Sequence, residues 1–285
     1  MNIPPLVTTD WLAQHLNDET IRIADVRWYL RKDKNGSAEY LNGHIPGAIF
    51  FDLDRDLSAP PGQGPGRHPL PTIEQFGEVV ARAGIRAETH VIAYDDSGGG
   101  TAARLWWLLR YFGFARVSLL DGGITRWIAE GRAVQTEIPR VPRGGIELTP
   151  HPDWVVDQAR VNDLRADTRA LVLDARLAER YAGLIEPIDA RAGHIPGARN
   201  APLAGNLRGA DDLRFKPATD LRARFDALGA GRAQTVVHYC GSGVNACQNI
   251  FAMHLAGMEN VLLYAGSWSD WSRNPECPLA VGEEP

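Results

Sequence analysis

The feature that most restricts this chain is that it is written twice. Gly43-His44-Ile45-Pro46-Gly47-Ala48 returns as Gly193-His194-Ile195-Pro196-Gly197-Ala198, 150 residues on. Asp25-Val26-Arg27 returns as Asp174-Ala175-Arg176 after 149 residues, and Asp10-Trp11 as Asp153-Trp154 after 143. Gly113, Val117, Gly122 and Trp127 match Gly257, Val261, Gly266 and Trp271, each 144 residues later. Ordered matches with a drifting offset describe one unit that was duplicated and then edited in its loops. A period this long means two globular copies, not the short repeat of a solenoid. A chain of 285 residues has room for both.

Each copy has the same rhythm. In the first, an amphipathic helix over 10–16 leads to an apolar strand over 21–25 and then to the G-H-I-P-G-A turn. A helix over 73–83, a strand over 90–94, a helix over 101–112 and a strand over 117–120 follow. Strands alternating with helices predict an α/β fold in which each copy is a parallel sheet with helices on both faces. The run Ile138-Pro139-Arg140-Val141-Pro142-Arg143-Gly144-Gly145 reads as a connection. The expected organisation is an N-terminal domain over 1–137, a linker over 138–150 and a C-terminal domain over 151–285. A Pro/Gly-rich stretch from Ala59 to Pro71 makes a long loop in the first copy, and loops of that length are often functional.

Composition excludes several classes of partner. A formal net charge of −5 offers no basic stripe for nucleic acid, and no apolar window is long enough to cross a bilayer. The N-terminal residues show neither the positive nor the apolar region of a secretory signal. Three cysteines, Cys240, Cys247 and Cys277, form no C-x-x-C pair. A cytoplasmic location, no metal, no cofactor and small soluble substrates are therefore expected.

Chemistry is concentrated after one strand. Thr235-Val236-Val237-His238-Tyr239 is a buried strand by pattern, Cys240-Gly241-Ser242-Gly243 a tight loop, and Val244, Cys247, Phe251 and Leu255 recur at helical spacing. Loop amides and a helix start converging on Cys240 favour a thiolate over a thiol, which makes Cys240 the expected nucleophile. The glycines are expected where the backbone takes dihedrals that other residues avoid. The first copy differs at this place: aligning Tyr94 with Tyr239 sets Asp95 opposite Cys240, so that copy offers no nucleophile. His44 and His194 recur in both copies and are expected to be structural, as is His238 in its strand.

Together these motifs, with the terminal A-G-S-W-S-D-W, resemble the two-domain sulfurtransferases of the rhodanese superfamily. The C-G-S-G-V loop is typical of the 3-mercaptopyruvate branch, whereas the thiosulfate branch more often has Arg and Lys directly after the cysteine. The resemblance implies two rhodanese-like domains, a Cys240 persulfide, Ser242 as a supporting hydroxyl, and Gly241, Gly243 and Val244 as a backbone cradle. It further implies that Asp54 in F-F-D-L-D and His68 in R-H-P-L-P approach the cysteine. Arg180 in A-E-R-Y would hold the donor's carboxylate. Two positions depart from the pattern. Asn245 stands where Thr is usual, and Ile188 replaces the arginine of E-P-R, with Arg191 three residues on as a candidate substitute.

The implied reaction moves a sulfane sulfur from 3-mercaptopyruvate, or alternatively thiosulfate, to a thiol or cyanide. Thioredoxin or a small thiol would be the natural acceptor. A cysteine phosphatase would need arginine at the sixth residue after the cysteine, to neutralise phosphate; that residue is Ala246. A non-enzymatic binding module fits the first copy alone, since only the second keeps the cysteine.

Overall fold

In the computed structural model, residues 3–30 and 33–285 are described. They form two compact units, each built on a parallel sheet. In the first, β1 (Leu6–Val7), β2 (Ile21–Asp25), β3 (Ile49–Phe50), β4 (His90–Tyr94) and β5 (Val117–Leu120) lie in the order β1-β5-β4-β2-β3. In the second, β6 (Leu263's neighbour, Val155–Val156), β7 (Ala170–Asp174), β8 (Ala198–Asn200), β9 (Thr235–Tyr239) and β10 (Val261–Tyr264) repeat it as β6-β10-β9-β7-β8. The central strands β4 and β9 are almost wholly buried. Their apolar β-branched runs suit a sheet covered on both faces.

Helix boundaries follow local chemistry. The helix Ile73–Arg82 begins with a capping box in which Thr72 and Gln75 satisfy each other's backbone N–H. The helix Gln158–Leu164 starts at Asp157, whose side chain accepts from the Arg160 amide. The helices Ala102–Tyr111 and Ala246–Leu255 are buried along most of their length, as expected of elements that follow the central strands.

The repeated motifs form the same clip in both units. Arg27 pairs with Asp25 and reaches the Gly43 carbonyl at 2.8 Å, while the Tyr94 hydroxyl accepts from the Ile45 amide at 3.2 Å. In the second unit, Arg176 pairs with Asp174 and reaches Gly193 at 2.6 Å, and the Tyr239 hydroxyl accepts from Ile195 at 3.2 Å. His44 and His194 lock the turns. Each donates from Nδ1 to a tyrosine carbonyl, at 2.7 and 2.9 Å, and stacks on that tyrosine's ring. Burying an ion pair is costly unless both ends are well satisfied, and here both are. The D-x-R and G-H-I-P-G-A motifs therefore recur because they hold strand ends to turns.

The units are not simply consecutive in sequence. Pro60–Leu70, from the first half, belongs to the second unit, and Arg208–Phe215, from the second half, belongs to the first. Residues 138–150 pack on the first unit by backbone hydrogen bonds from Gly144 to Ala81, Gly145 to Ile85 and Thr149 to Phe112. Among the described residues no helix is long and apolar enough to cross a membrane.

Candidate active site

Cys240 follows β9 directly and is 3 % exposed. Its amide donates to Ser267 Oγ at 3.1 Å and its carbonyl accepts from Trp268 at 3.0 Å. The Gly241 carbonyl accepts from Ser269 at 2.9 Å. Ser267 is the non-glycine residue with positive φ (54°) among the described residues, and its hydroxyl ties Cys240 to the Tyr264 carbonyl. Strain of this kind persists where surrounding contacts over-determine it.

The loop that follows leaves several of its amides open. Gly241, Ser242 and Val244 are buried, yet among the described residues their N–H groups and that of Asn245 find no acceptor. Buried unpaired amides are uncommon, so a group of them marks a place prepared for an anion. The helix Ala246–Leu255 starts at the end of this loop and adds the positive end of its dipole. Asn245 makes no side-chain cap bond. Cys247 belongs to the helix and gives its S–H to the Gly243 carbonyl at 3.3 Å.

The two glycines are there for different reasons. Gly243 has φ +76°, and a Cβ on it would lie 2.4 Å from the Ala265 carbonyl oxygen. Gly241, against expectation, is not in the left-handed region. Its missing side chain instead leaves room for two guanidinium groups: a Cβ would stand 3.0 Å from Arg67 Nη2 and 3.5 Å from Arg180 Nη1.

Ser242 and His68 meet, with His68 Nδ1 2.7 Å from Ser242 Oγ. Both are buried. His68 comes from the Pro60–Leu70 arm, which is anchored by the Arg67 amide donating to Ser269 Oγ at 3.0 Å. Gly66 is equally constrained, since a Cβ there would lie 2.4 Å from the Gly266 carbonyl oxygen.

Arg180 lies in the helix Ala178–Tyr181 and is held by acids. Its Nη2 donates to Glu186 at 2.7 Å and to Asp189 at 3.0 Å. Arg67 Nη1 also donates to Asp189. Burial pushes the Asp189 carboxyl up despite these cations. Burial works in the same direction on Glu186, but hydrogen bonds from Arg180 and from the Asp189 and Ile188 amides hold that carboxyl below its ordinary value. Ile188 supplies an amide here and no charge. Arg191 does not take the place of the absent arginine: its guanidinium is spent on the carbonyls of Trp271, Ser272 and Asn274.

Asp54 belongs to the first unit, where it accepts from Trp28 Nε1 at 2.8 Å and helps line a cavity of about 300 Å³ with Arg27, Tyr29, Lys34 and Asp52. Its neighbours have other tasks. Asp52 caps the helix Leu53–Asp56, and Asp56 is buried against Arg55 and Arg82. Sequence reasoning overlooked Arg67. The available signal was a second repeat, Arg67-His68 against Arg214-Phe215, each pair lying on an exchanged arm.

Comparison with known proteins agrees with this geometry. The family model for the Rhodanese-like domain matches residues 8–130 and 157–274. The Pseudomonas aeruginosa protein named "Probable 3-mercaptopyruvate sulfurtransferase" is 42 % identical over 286 residues, covering 99 % of this chain and 100 % of that one. The thiosulfate sulfurtransferase of Rattus norvegicus is 33 % identical over 291 residues, covering 98 % and 96 %. The crystal structure of SseA from Escherichia coli, titled as a 3-mercaptopyruvate sulfotransferase, superposes with a TM-score of 0.82 at 35 % identity, over 93 % of this chain and 99 % of that one. With both halves matched and a cysteine loop on only one of them, the chain belongs to the rhodanese family, as a tandem of two rhodanese-like domains.

Proposed function

We propose that this protein is a sulfurtransferase that takes a sulfane sulfur from 3-mercaptopyruvate onto Cys240 and passes it to a thiol. The observation that carries the reading is the ring of buried, acceptor-less amides that follows Cys240. Similarity along the whole chain to 3-mercaptopyruvate sulfurtransferases supports the donor.

The thiolate of Cys240 attacks the thiol sulfur of 3-mercaptopyruvate. An S–S bond forms, the C–S bond breaks, and its electron pair leaves on the methylene carbon as the enolate of pyruvate. A proton then converts the enolate to pyruvate. The Ser242–His68 pair is placed to move a proton beside the loop. The persulfide carries negative charge on its outer sulfur, and the preformed amides of Gly241, Ser242, Val244 and Asn245 stabilise it without reorganising. An acceptor thiolate, on a small molecule or on a protein such as thioredoxin, then attacks the outer sulfur and releases Cys240. Arg180 receives the donor carboxylate, and Asp54 is the further carboxylate assigned to the reaction. The reading keeps sequence domains over 1–137 and 151–285, with 138–150 between them. It also places the protein in the cytoplasm, because a persulfide carrier needs its thiol reduced between turnovers.

Intact-protein mass spectrometry tests the proposal. Wild-type protein exposed to 3-mercaptopyruvate is expected to gain one sulfur atom that a reductant removes, and Cys240→Ser to gain none. Faster wild-type turnover with thiosulfate than with 3-mercaptopyruvate at equal concentration would overturn the donor assignment.

A further inference from the structure

We propose that the first unit carries a ligand site of its own, in which Arg22 and Arg86 bind an oxyanion of the phosphate class. The inference stands apart from the sulfurtransferase reading and uses none of its residues. A cavity of about 470 Å³ is lined by Arg22 and Arg86, by Glu19 and Glu88, and by Val141 and Pro142 of the connecting segment. Small-molecule sites commonly enclose roughly 300–1,000 Å³. Neither arginine makes an ion pair among the described residues. Arg22 Nε is buried with no hydrogen-bond partner among them, and Arg86 gives only Nη2, to the Arg143 carbonyl at 3.0 Å. Two cations thus share one cavity without a counter-charge.

The fold asks for neither of them. Strands β2 and β7 take the same place in the two sheets, with Arg22 beside Val91 and Leu171 beside Val236. The second unit therefore has a buried leucine where the first has a charge. Gly84 and Gly229 both take positive φ, and the amide after each returns to its helix in the same way, Ile85 to Val80 and Ala230 to Phe225. Counting on from these glycines sets Gly231 opposite Arg86. Half-burying a strand arginine costs desolvation, and a second arginine beside it adds repulsion. Burial and then the Arg86 charge push the Arg22 guanidinium below its ordinary value, with no carboxylate to offset them. An anion between the two relieves both costs.

The neighbouring polar groups do not fill that place. Glu19 and Glu88 are exposed and pair with neither arginine among the described residues. The Thr20 hydroxyl is given to Asp18 at 2.7 Å, and the Thr89 hydroxyl accepts from the Arg86 amide at 2.9 Å. Guanidinium forks match the oxygens of phosphate in charge and in spacing. Val141 and Pro142 give the cavity an apolar wall, and Gly84 lets that wall close in, since a Cβ there would lie 2.8 Å from the Pro142 carbonyl oxygen. The ligand chemistry is therefore a phosphate-type oxyanion, either free or as the headgroup of an ester whose remainder lies on this wall. Because Arg86 also holds the Arg143 carbonyl, an occupied site fastens the connecting segment to the first unit.

Isothermal titration of the full chain with inorganic phosphate and with phenyl phosphate, at constant ionic strength, tests the site. Wild-type protein is expected to bind at least one of them saturably, with one site per chain. Tighter binding of phenyl phosphate would mark an ester headgroup as the ligand, and equal or tighter binding of inorganic phosphate the free oxyanion. Arg22→Leu, which uses the residue of the second unit, and Arg86→Ala should each weaken binding at least about tenfold, as loss of a charge-assisted hydrogen bond does. Sulfur transfer should be unchanged in both. At about ten times its Kd the ligand should raise the melting temperature of wild type roughly 3–5 °C more than that of either variant. Phosphate also stabilises proteins by exclusion from their surfaces, but that effect is common to all three and cancels in the difference. Absence of saturable binding to wild type, or binding that survives either substitution, would overturn the proposal. Arg86 is exposed, so Arg86→Ala supplies the result even if Arg22→Leu fails to fold.

Discussion

The loop after β4 and the loop after β9 answer the same structural problem in opposite ways. In the first unit, Asp95 puts its own carboxylate into the ring of amides. Oδ1 accepts from Ser97 and Gly99, both at 2.9 Å, and Oδ2 accepts from Thr101 and Ala102, both at 2.8 Å. In the second unit the matching residue is Cys240, and the amides of Gly241, Ser242, Val244 and Asn245 have no acceptor among the described residues. One loop is closed by its own anion; in the other the amides stay open, as the proposed persulfide on Cys240 requires. The residues from the exchanged arms follow suit. Phe215 lies against the first loop, where a Cβ on Gly99 would be 3.2 Å from its ring, whereas His68 offers a nitrogen to Ser242. The comparison teaches that the two units give matching loops, and that the residue after the strand, Asp95 or Cys240, decides whether the loop amides are filled from within.

Crossed substitutions give the largest expected effects. Cys240→Ala should lower sulfur transfer by at least about 10⁴-fold, as loss of a nucleophile does, while costing only about 1 kcal/mol of stability. Asp95→Ala should do the reverse. Four amides, two of them buried, lose a charged acceptor, so about 3–5 kcal/mol of unfolding free energy is expected to disappear in denaturant titrations. If the two substitutions had similar effects on both stability and turnover, the division of labour between the loops would be wrong.

A smaller effect is expected at Gly243. Its left-handed φ recurs at Gly98 in the first loop, with φ of +76° and +69°. Gly243→Ala adds both backbone strain and a contact with the Ala265 carbonyl, and should cost about 2–4 kcal/mol. Sulfur transfer should fall as well, because the amides beyond Gly243 shift. A variant with normal melting temperature and normal turnover would show that the cradle tolerates displacement.

How far this contrast was legible in sequence depends on the kind of signal. The central strands β4 and β9 are short apolar runs ended by tyrosine, and both ends were readable because burial on two faces leaves such a run. The edge strands β1, β3 and β6 have two residues each, too few for any period to register. Asp95 opposite Cys240 was visible by alignment, but its hydrogen bonds were not. The exchanged arms were invisible for a physical reason: neither the Pro/Gly-rich Pro60–Leu70 nor the short polar Arg208–Phe215 carries a periodicity, and which unit they join is settled by tertiary contacts such as that of Arg67 with Ser269. Arg67 itself was hidden beside His68, since a solvent-exposed arginine and one leaning over a reactive loop look alike in a sequence.

The finest distinction lies inside the strands. Position for position, His238 in β9 stands where β4 has Ala93, one residue before the terminal tyrosine. His238 is fully buried, its Nε2 lies 3.0 Å from Met253 Sδ, and its Nδ1 has no partner among the described residues. Burial, helped by the Arg224 charge, pushes it down to about 3. The unfolded chain therefore binds a proton near pH 6.5 that the folded chain refuses until about pH 3, so stability is full above that window and falls as the pH drops through it. Each pH unit well inside the window costs up to about 1.4 kcal/mol, or roughly 2 kcal/mol between pH 6.5 and 5. His90, pushed down to about 4 by burial, adds a milder acid sensitivity to the first unit, where Ser118 partners it at 2.7 Å. Unfolding measured from pH 7 to 5 should show a flatter slope for His238→Leu than for wild type. Identical slopes would mean that the second unit, despite the buried histidine in the strand before Cys240, is no more acid-sensitive at this position than the first.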